Sequence, residues 1–198
     1  MDTRLRILKE SGILFSKYGI RSITMDHIAN ELGISKRTIY EIFKDKEDLV
    51  SQAIEEGLKA HKGFCQKIID ESDNVIEAIF KIGKLNTDMF GKMNPLFFED
   101  LKKFHSKIYN RIHKKGEIKD YKLTYSLLER GVKENLISKD INIEIVNIFI
   151  HKMLDIVHSE ELKSFSPNEV SKSALLPFFI GISTEKGREL IENYLKTF

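Results

Sequence analysis

TMDHIANELGISKRTIYEIFKDKEDL, residues Thr24–Leu49, holds two short helical patterns joined by a tight turn, then the start of a third. In the first, Met25, Ile28, Ala29 and Leu32 recur at helical spacing. Thr24 stands where an N-cap oxygen is wanted, and Asp26 falls in the first turn, where the helix dipole favours negative charge. Gly33 follows the last apolar residue and can take the positive φ that ends a helix without a Cβ clash. Ser35 then caps a second helix, Lys36–Phe43, whose inward face is Ile39, Ile42 and Phe43. Ala29 is small where the two helices must cross. This is the spacing of a helix-turn-helix. The exposed start of the second helix carries Ser35, Lys36, Arg37, Thr38 and Tyr40, side chains suited to phosphate oxygens and base edges. A helical hairpin with a solvated basic end would share the short pattern.

The longer run from Ile34 to Leu49, I-S-K-R-T-I-Y-E-I-F-K-D-K-E-D-L, resembles the N-terminal signature of the TetR family of bacterial transcriptional regulators. Ser35, Thr38, Tyr40, Phe43, Lys46 and Leu49 fall on that pattern, as do Phe15, Gly19 and Thr24 upstream. The resemblance covers about the first quarter of the chain. It implies an all-α fold: a three-helix DNA-binding head, then a helical ligand-binding and dimerisation domain. One position departs. Many family members have a histidine just before the phenylalanine, where it contacts phosphate. Here the residue is Ile42, and that contact does not carry over.

The chain has 198 residues, 41% hydrophobic and 31% charged, enough for one or two small globular domains. The formal net charge is +2 and unevenly placed. Met1 to Lys46 holds nine basic and six acidic residues, leaving 23 basic and 24 acidic for the remainder. The positive excess therefore lies where DNA would lie. It is small for one head, so two heads per assembly are expected. Met1–Glu10 is charged and lacks the apolar core of a signal peptide, and no apolar run reaches membrane-spanning length. Cys65 is the only cysteine, which excludes an intrachain disulfide and a thiolate zinc site. A soluble cytoplasmic protein is expected, with residues 1–46 as the head and 47–198 as the second domain.

Asp2–Tyr18 reads as the first helix, with Leu5, Leu8, Leu14 and Phe15 on one side and Gly19 at its end. Phe15, Ile23, Ile28, Leu32, Ile39 and Phe43 form the expected head core, too small to stand without a neighbour. That neighbour begins with a long helix from Lys46 to about Glu71, which contains Gly57 and Gly63; these are expected to allow close packing, with bending freedom as the alternative. Further helices are predicted over Asn74–Phe90, from Asn94-Pro95 to Phe104, from Ser106 to Asn135 with Gly116 as a kink or break, and over Asn142–Ser159. Ser166-Pro167-Asn168-Glu169 has the form of a capping box opening a helix that Pro177 should kink. Thr184–Lys196 completes a set of about nine to ten helices, with Leu190, Ile191, Tyr194 and Leu195 inward.

Three constellations bear on function. Aromatic residues crowd between Phe90 and Tyr125. In the TetR family this region commonly encloses a ligand. The expected contacts are Phe64, Phe90, Met93, Phe97, Phe98, Phe104, His105, Tyr109 and Tyr125, with Tyr121 and His113 nearby, suited to a small apolar or amphipathic effector. Plain core packing accounts for any single member. Second, Ile145, Ile148, Phe149, Lys152 and Ile156 share one broad face of Asn142–Ser159, and Leu175, Phe178 and Phe179 enrich the following helix. That is more apolar circumference than a one-sided surface helix needs, and a homodimer built on a four-helix bundle is expected, as the resemblance also implies. Third, His151, Asp155 and His158 could form half of a metal site, but they lack a fourth ligand; surface or interface positions are expected instead. No catalytic motif is present and no cofactor is expected.

The expected function is a homodimeric repressor on double-stranded operator DNA, released by the effector. Lys36, Arg37 and Thr38 would reach bases; Tyr40, Lys44, Lys46, Thr24 and Ser35 would meet the backbone. The alternatives are an all-α enzyme or small-molecule carrier with a structural head, and a regulator answering to a protein partner.

Overall fold

The computed structural model describes residues 2–114, 120–157, 160–162 and 164–197, with side chains at all of these except Phe90, His113, Lys114, Glu160, Pro167 and Thr197. Among the described residues every regular element is helical. In order these are α1 (Thr3–Tyr18), α2 (Met25–Leu32), α3 (Lys36–Ile42), α4 (Lys46–Glu71), α5 (Val75–Gly91), α6 (Pro95–Phe104), α7 (Ser106–Lys114), α8 (Tyr121–Lys133) and α9 (Ile143–Val157). A short 3-10 turn, Glu160–Leu162, precedes α10 (Pro167–Val170), which continues through a π-helical turn, Ser171–Leu175, into α11 (Leu176–Ile182); α12 (Glu185–Thr197) ends the chain.

Local chemistry sets most of these boundaries. Asp2, Thr24, Ser35, Asn94 and Asp120 each accept a backbone N–H of the helix they open, which satisfies one of the donors that a helix start leaves unpaired. The capping box forms as expected. Ser166 N–H donates to Glu169 Oε2 at 2.8 Å, and Glu169 N–H donates to Ser166 Oγ at 3.2 Å. Gly33 takes the left-handed conformation, φ 63°, that closes α2. The single pattern expected from Ser106 to Asn135 is two helices, α7 and α8. Gly116, the expected break, lies outside the described residues, as does His158.

The chain forms two compact units. The first comprises Met1–Gln66 and Asp88–Ile118, the second Lys67–Thr87 and Lys119–Phe198. The first runs past residue 46 because the head core is finished by its neighbours. Phe15, Ile23, Ile28, Leu32, Ile39 and Phe43 share one buried cluster with Leu49, Val50 and Ala53 of α4, Phe97 and Leu101 of α6, and Ile108 and Ile112 of α7. On α1 the buried stripe includes Ile7 and Ser11 beside Leu8, Leu14 and Phe15; Leu5 is only half-buried.

In the second unit, Val75, Ile76 and Ala78 pack with Leu127, Leu136 and Ile191, and Leu128, Ile137, Ile150 and Ile182 form a second cluster partly covered by Phe178 and Phe179. Arg130 closes the C-terminus of α4, donating to Ile69 O and Ser72 O, both at 2.7 Å, while Glu134 accepts the Val75 N–H. An antiparallel bridge between Ile137 and Ser183 joins the segment after α8 to the segment before α12. A Cβ on Gly187 would stand 2.1 Å from Leu136 O, so only glycine lets α12 approach there.

Two expectations are corrected, and the distortion expected at Pro177 takes a particular form. Gly57 and Gly63 have open space where a Cβ would stand, so close packing does not explain them. Leu195 is exposed: the inward stripe of α12 is Gly187, Leu190, Ile191 and Tyr194, and Leu195 falls past its edge. Pro177 accompanies a π turn in place of an α-helical bond. Leu176 N–H reaches back five residues to Ser171 O, and the extra residue accommodates a position that has no N–H to offer.

Candidate nucleic-acid interface

The three-helix head presents the start of α3 to solvent over a fully buried floor, with Ile39 and Phe43 both wholly inaccessible. Ser35 Oγ accepts the Thr38 N–H at 3.0 Å and bonds Thr38 Oγ1 at 2.9 Å. Thr24 Oγ1 accepts the His27 N–H at 3.1 Å. Both hydroxyls therefore fix helix starts, and Thr38 is half-buried by the same arrangement.

The exposed cations of α3 have carboxylate neighbours. Lys36 Nζ lies 2.6 Å from Asp26 Oδ2, and this hydrogen bond raises the Lys36 pKa above its ordinary value. Arg37 Nε donates to Glu41 Oε1 at 2.9 Å with its side chain almost fully solvated. In solution such exposed pairs are weak, on the order of 0–1 kcal/mol, and either cation can exchange its carboxylate for a phosphate or a base edge. Tyr40 and Lys44 are exposed beside them. Ile42 is half-buried against the head core, so the position that departs from the family pattern faces inward.

Lys46 differs from the other cations. It is half-buried, its Nζ donates to Ile20 O at 2.7 Å, and burial lowers its pKa while Asp100 opposes that shift. One of its three protons is committed to holding the α1–α2 turn; its expected phosphate role is left to the remaining two. The Arg37–Glu41 pair was visible in the sequence as an i, i+4 spacing. The Asp26–Lys36 and Lys46–Ile20 contacts join separate segments and carried no local signal.

Among the described residues of the first unit, the expected ligand contacts are not gathered into one enclosed site. Phe97 belongs to the core of the first unit. Phe64 is 60% exposed, and Phe104 is 54% exposed with its ring under the Arg21 guanidinium at 4.9 Å. His105 Nδ1 pairs with Glu47 Oε2, which ties the end of α6 to the start of α4. Met93 and Tyr109 line the edge of the same core, Phe98 is exposed, and the side chain of Phe90 lies outside the described residues. Tyr125 belongs to the second unit and is 37% exposed. Of His151, Asp155 and His158, expected at surface or interface positions, His151 is buried with its ring 3.9 Å from that of Tyr121, whereas Asp155 is exposed. Among the described residues no group of three or more His, Cys, Asp or Glu could hold a metal ion.

The expected dimer face is open. Ile145, Ile148, Phe149 and Ile156 are 64%, 51%, 52% and 58% exposed, and Lys152 lies exposed among them. Leu175, Phe178 and Phe179 are half-buried, with the Phe149 and Phe178 rings 5.3 Å apart. No helix among the described residues is long and apolar enough to cross a membrane.

Residues 7–53 match the family described as bacterial regulatory proteins, tetR family. An HTH-type transcriptional regulator of Staphylococcus aureus (strain USA300) is 42% identical over 70 residues, which make up 35% of this chain and 38% of the relative. The chain thus spans well under half the length of the curated relatives it matches. Over nearly all its length it is similar in fold to a transcriptional regulator from Cytophaga hutchinsonii ATCC 33406, with TM-score 0.73, 19% identity, and 92% of this chain and 99% of that one covered. It is also similar to a TetR-family transcriptional regulator from Marinobacter aquaeolei VT8, with TM-score 0.68, 17% identity, and 100% and 98% covered. At those identities the likeness is one of fold.

Proposed function

From a head that carries the TetR-family helix-turn-helix, we propose that this protein is a DNA-binding transcriptional regulator that acts as a homodimeric repressor in the cytoplasm, without enzymatic activity. The observation that carries the reading is the solvated first turn of α3. Lys36 and Arg37 stand there on a rigid core, held only by exchangeable surface carboxylates. Arg37 and Lys36 read base edges, while Tyr40 and Lys44 meet the backbone. Two heads are required for useful affinity, and the exposed α9 stripe supports an isologous pairing through α9 and α11.

A small apolar or amphipathic effector, bound in the chain beyond the head, releases the operator by favouring a recognition-helix separation that no longer matches successive major grooves, ~34 Å apart. α4 is the covalent link through which that preference reaches α3.

The test is titration of the purified protein against duplex DNA across a salt series. Sequence-selective binding with a steep salt slope supports the regulator. Absence of binding at low salt discards it in favour of an all-α carrier or enzyme with a structural head. Native mass spectrometry of the same preparation distinguishes a retained small molecule from a protein partner.

A further inference from the structure

The α1–α2 turn is gripped from two sides, by α6 and by the start of α4. On one side is α6. The buried Asp100 accepts the Arg21 backbone N–H through Oδ2 at 2.8 Å. Asn94, which caps α6, donates its backbone N–H to Ser16 O at 2.7 Å and its Nδ2 to Lys17 O at 3.1 Å, so it takes two of the last carbonyls of α1. On the other side, Lys46 at the start of α4 holds Ile20 O. Gly19 lies between the two grips with φ 84° and ψ 155°, a conformation essentially reserved for glycine. A Cβ there would come within 3.1 Å of both Asp100 Oδ2 and Leu96 Cβ.

A buried carboxylate is costly unless its charge and lone pairs are met, and an apolar residue could fill the same space without that cost. What the carboxylate adds is direction: a charge-assisted hydrogen bond fixes the position of residue 21 on α6 far more closely than apolar contact does. Residues 19–21 are the joint between α1 and the helix-turn-helix, so their position determines the angle at which α2 and α3 leave α1.

We propose that Asp100 is the positioning residue that sets the angle of the helix-turn-helix on α6, so that the half-site spacing is fixed from α6 as well as through α4. This rests on the DNA-binding reading above. A shift of α6 reaches α3 through Asp100 and Asn94 without passing along α4.

The experiment compares the full-length native chain with Asp100→Asn, which keeps the shape and one acceptor, and Asp100→Ala, which removes both. Each is offered a duplex pool in which paired half-sites are separated by spacers of different length. Amide exchange of the free proteins is followed in parallel. The native chain should select one spacer. Asp100→Ala should select a spread of spacers with the base preference inside each half-site unchanged, and Asp100→Asn a narrower spread. The Arg21 amide should exchange about tenfold faster or more in Asp100→Ala, while amides of Ile7 to Leu14 stay protected. A merely structural role would lower the active fraction and leave the spacer and the local exchange pattern as in the native chain; that result overturns the inference. If Asp100→Ala fails to fold, Asp100→Asn decides by the same two readouts. A native chain that selects no duplex counts against DNA binding itself, and Arg21 exchange then decides whether Asp100 holds the joint.

Discussion

At the scale of single residues, the cations of α3 differ in how much they must give up on meeting DNA. On the proposed reading, Arg37 exchanges one exposed carboxylate for a base edge. Arg37→Ala should therefore cost ~1–3 kcal/mol on the preferred duplex and relax the preference at one base pair, measured by competition among single-site variants. Glu41→Gln frees the same guanidinium and removes a negative charge from the surface. It should raise affinity for unrelated duplexes a few-fold and so narrow the gap between preferred and unrelated DNA; an unchanged gap would show that Glu41 plays no part in discrimination. Glycines separate in the same way by surroundings. Gly19→Ala forces a Cβ into a left-handed position already occupied by α6, and should lower stability by ~1–3 kcal/mol in urea unfolding. Gly57→Ala meets open space inside a helix and should raise it by ~0.5–1 kcal/mol. The sequence shows the two glycines alike. Only the fold distinguishes them, because the obstacle at Gly19 comes from residues some eighty positions away.

Among elements, what could be read from the chain was what neighbouring residues decide. Thr24, Ser35, Asn94 and the Ser166–Glu169 box cap within three residues of themselves, and the structure puts helix starts at each. Lys46 and Asp100 were legible as charges but not as grips on the α1–α2 turn, since their partners lie far away in sequence. The aromatic run from Phe90 to Tyr125 reads alike whether it walls a cavity, fills a core or lies on the surface; among its described members Phe97 fills the core of the first unit and Phe104 lies exposed. The Ser166–Glu169 box also carries a pH signature. Hydrogen bonds from the Ser166 hydroxyl and N–H hold the Glu169 pKa below its ordinary value. A depressed carboxylate contributes stability that is present above its unfolded pKa and is lost as pH falls through the folded one. Amides in α10 should therefore lose protection as pH drops below the usual glutamate range. In Glu169→Gln, which cannot titrate, that step should be absent from the exchange profile.

For the whole molecule, the proposed dimer and its proposed response to an effector are joined. Ile148→Glu places a charge in the middle of the exposed α9 stripe and should convert a dimer to a monomer in sedimentation at micromolar concentration, with operator affinity falling in step. A native chain that sediments as a monomer removes the premise. Once an effector is in hand, linkage requires operator DNA to weaken its binding by the same factor that it weakens operator binding, 5–150-fold for a coupling of ~1–3 kcal/mol. The π turn at Ser171–Leu175 bears on the same proposed interface. One residue more than an α-helix needs is a phase advance of about 100° for everything downstream. Deleting a single residue from that turn would restore α-helical winding and rotate Phe178 and Phe179 away from the Ile150 and Ile182 cluster they now cover. The helix would keep nearly the same composition and show a different side to its mate. A one-codon deletion there is thus a route by which relatives with the same head could come to refuse one another as partners.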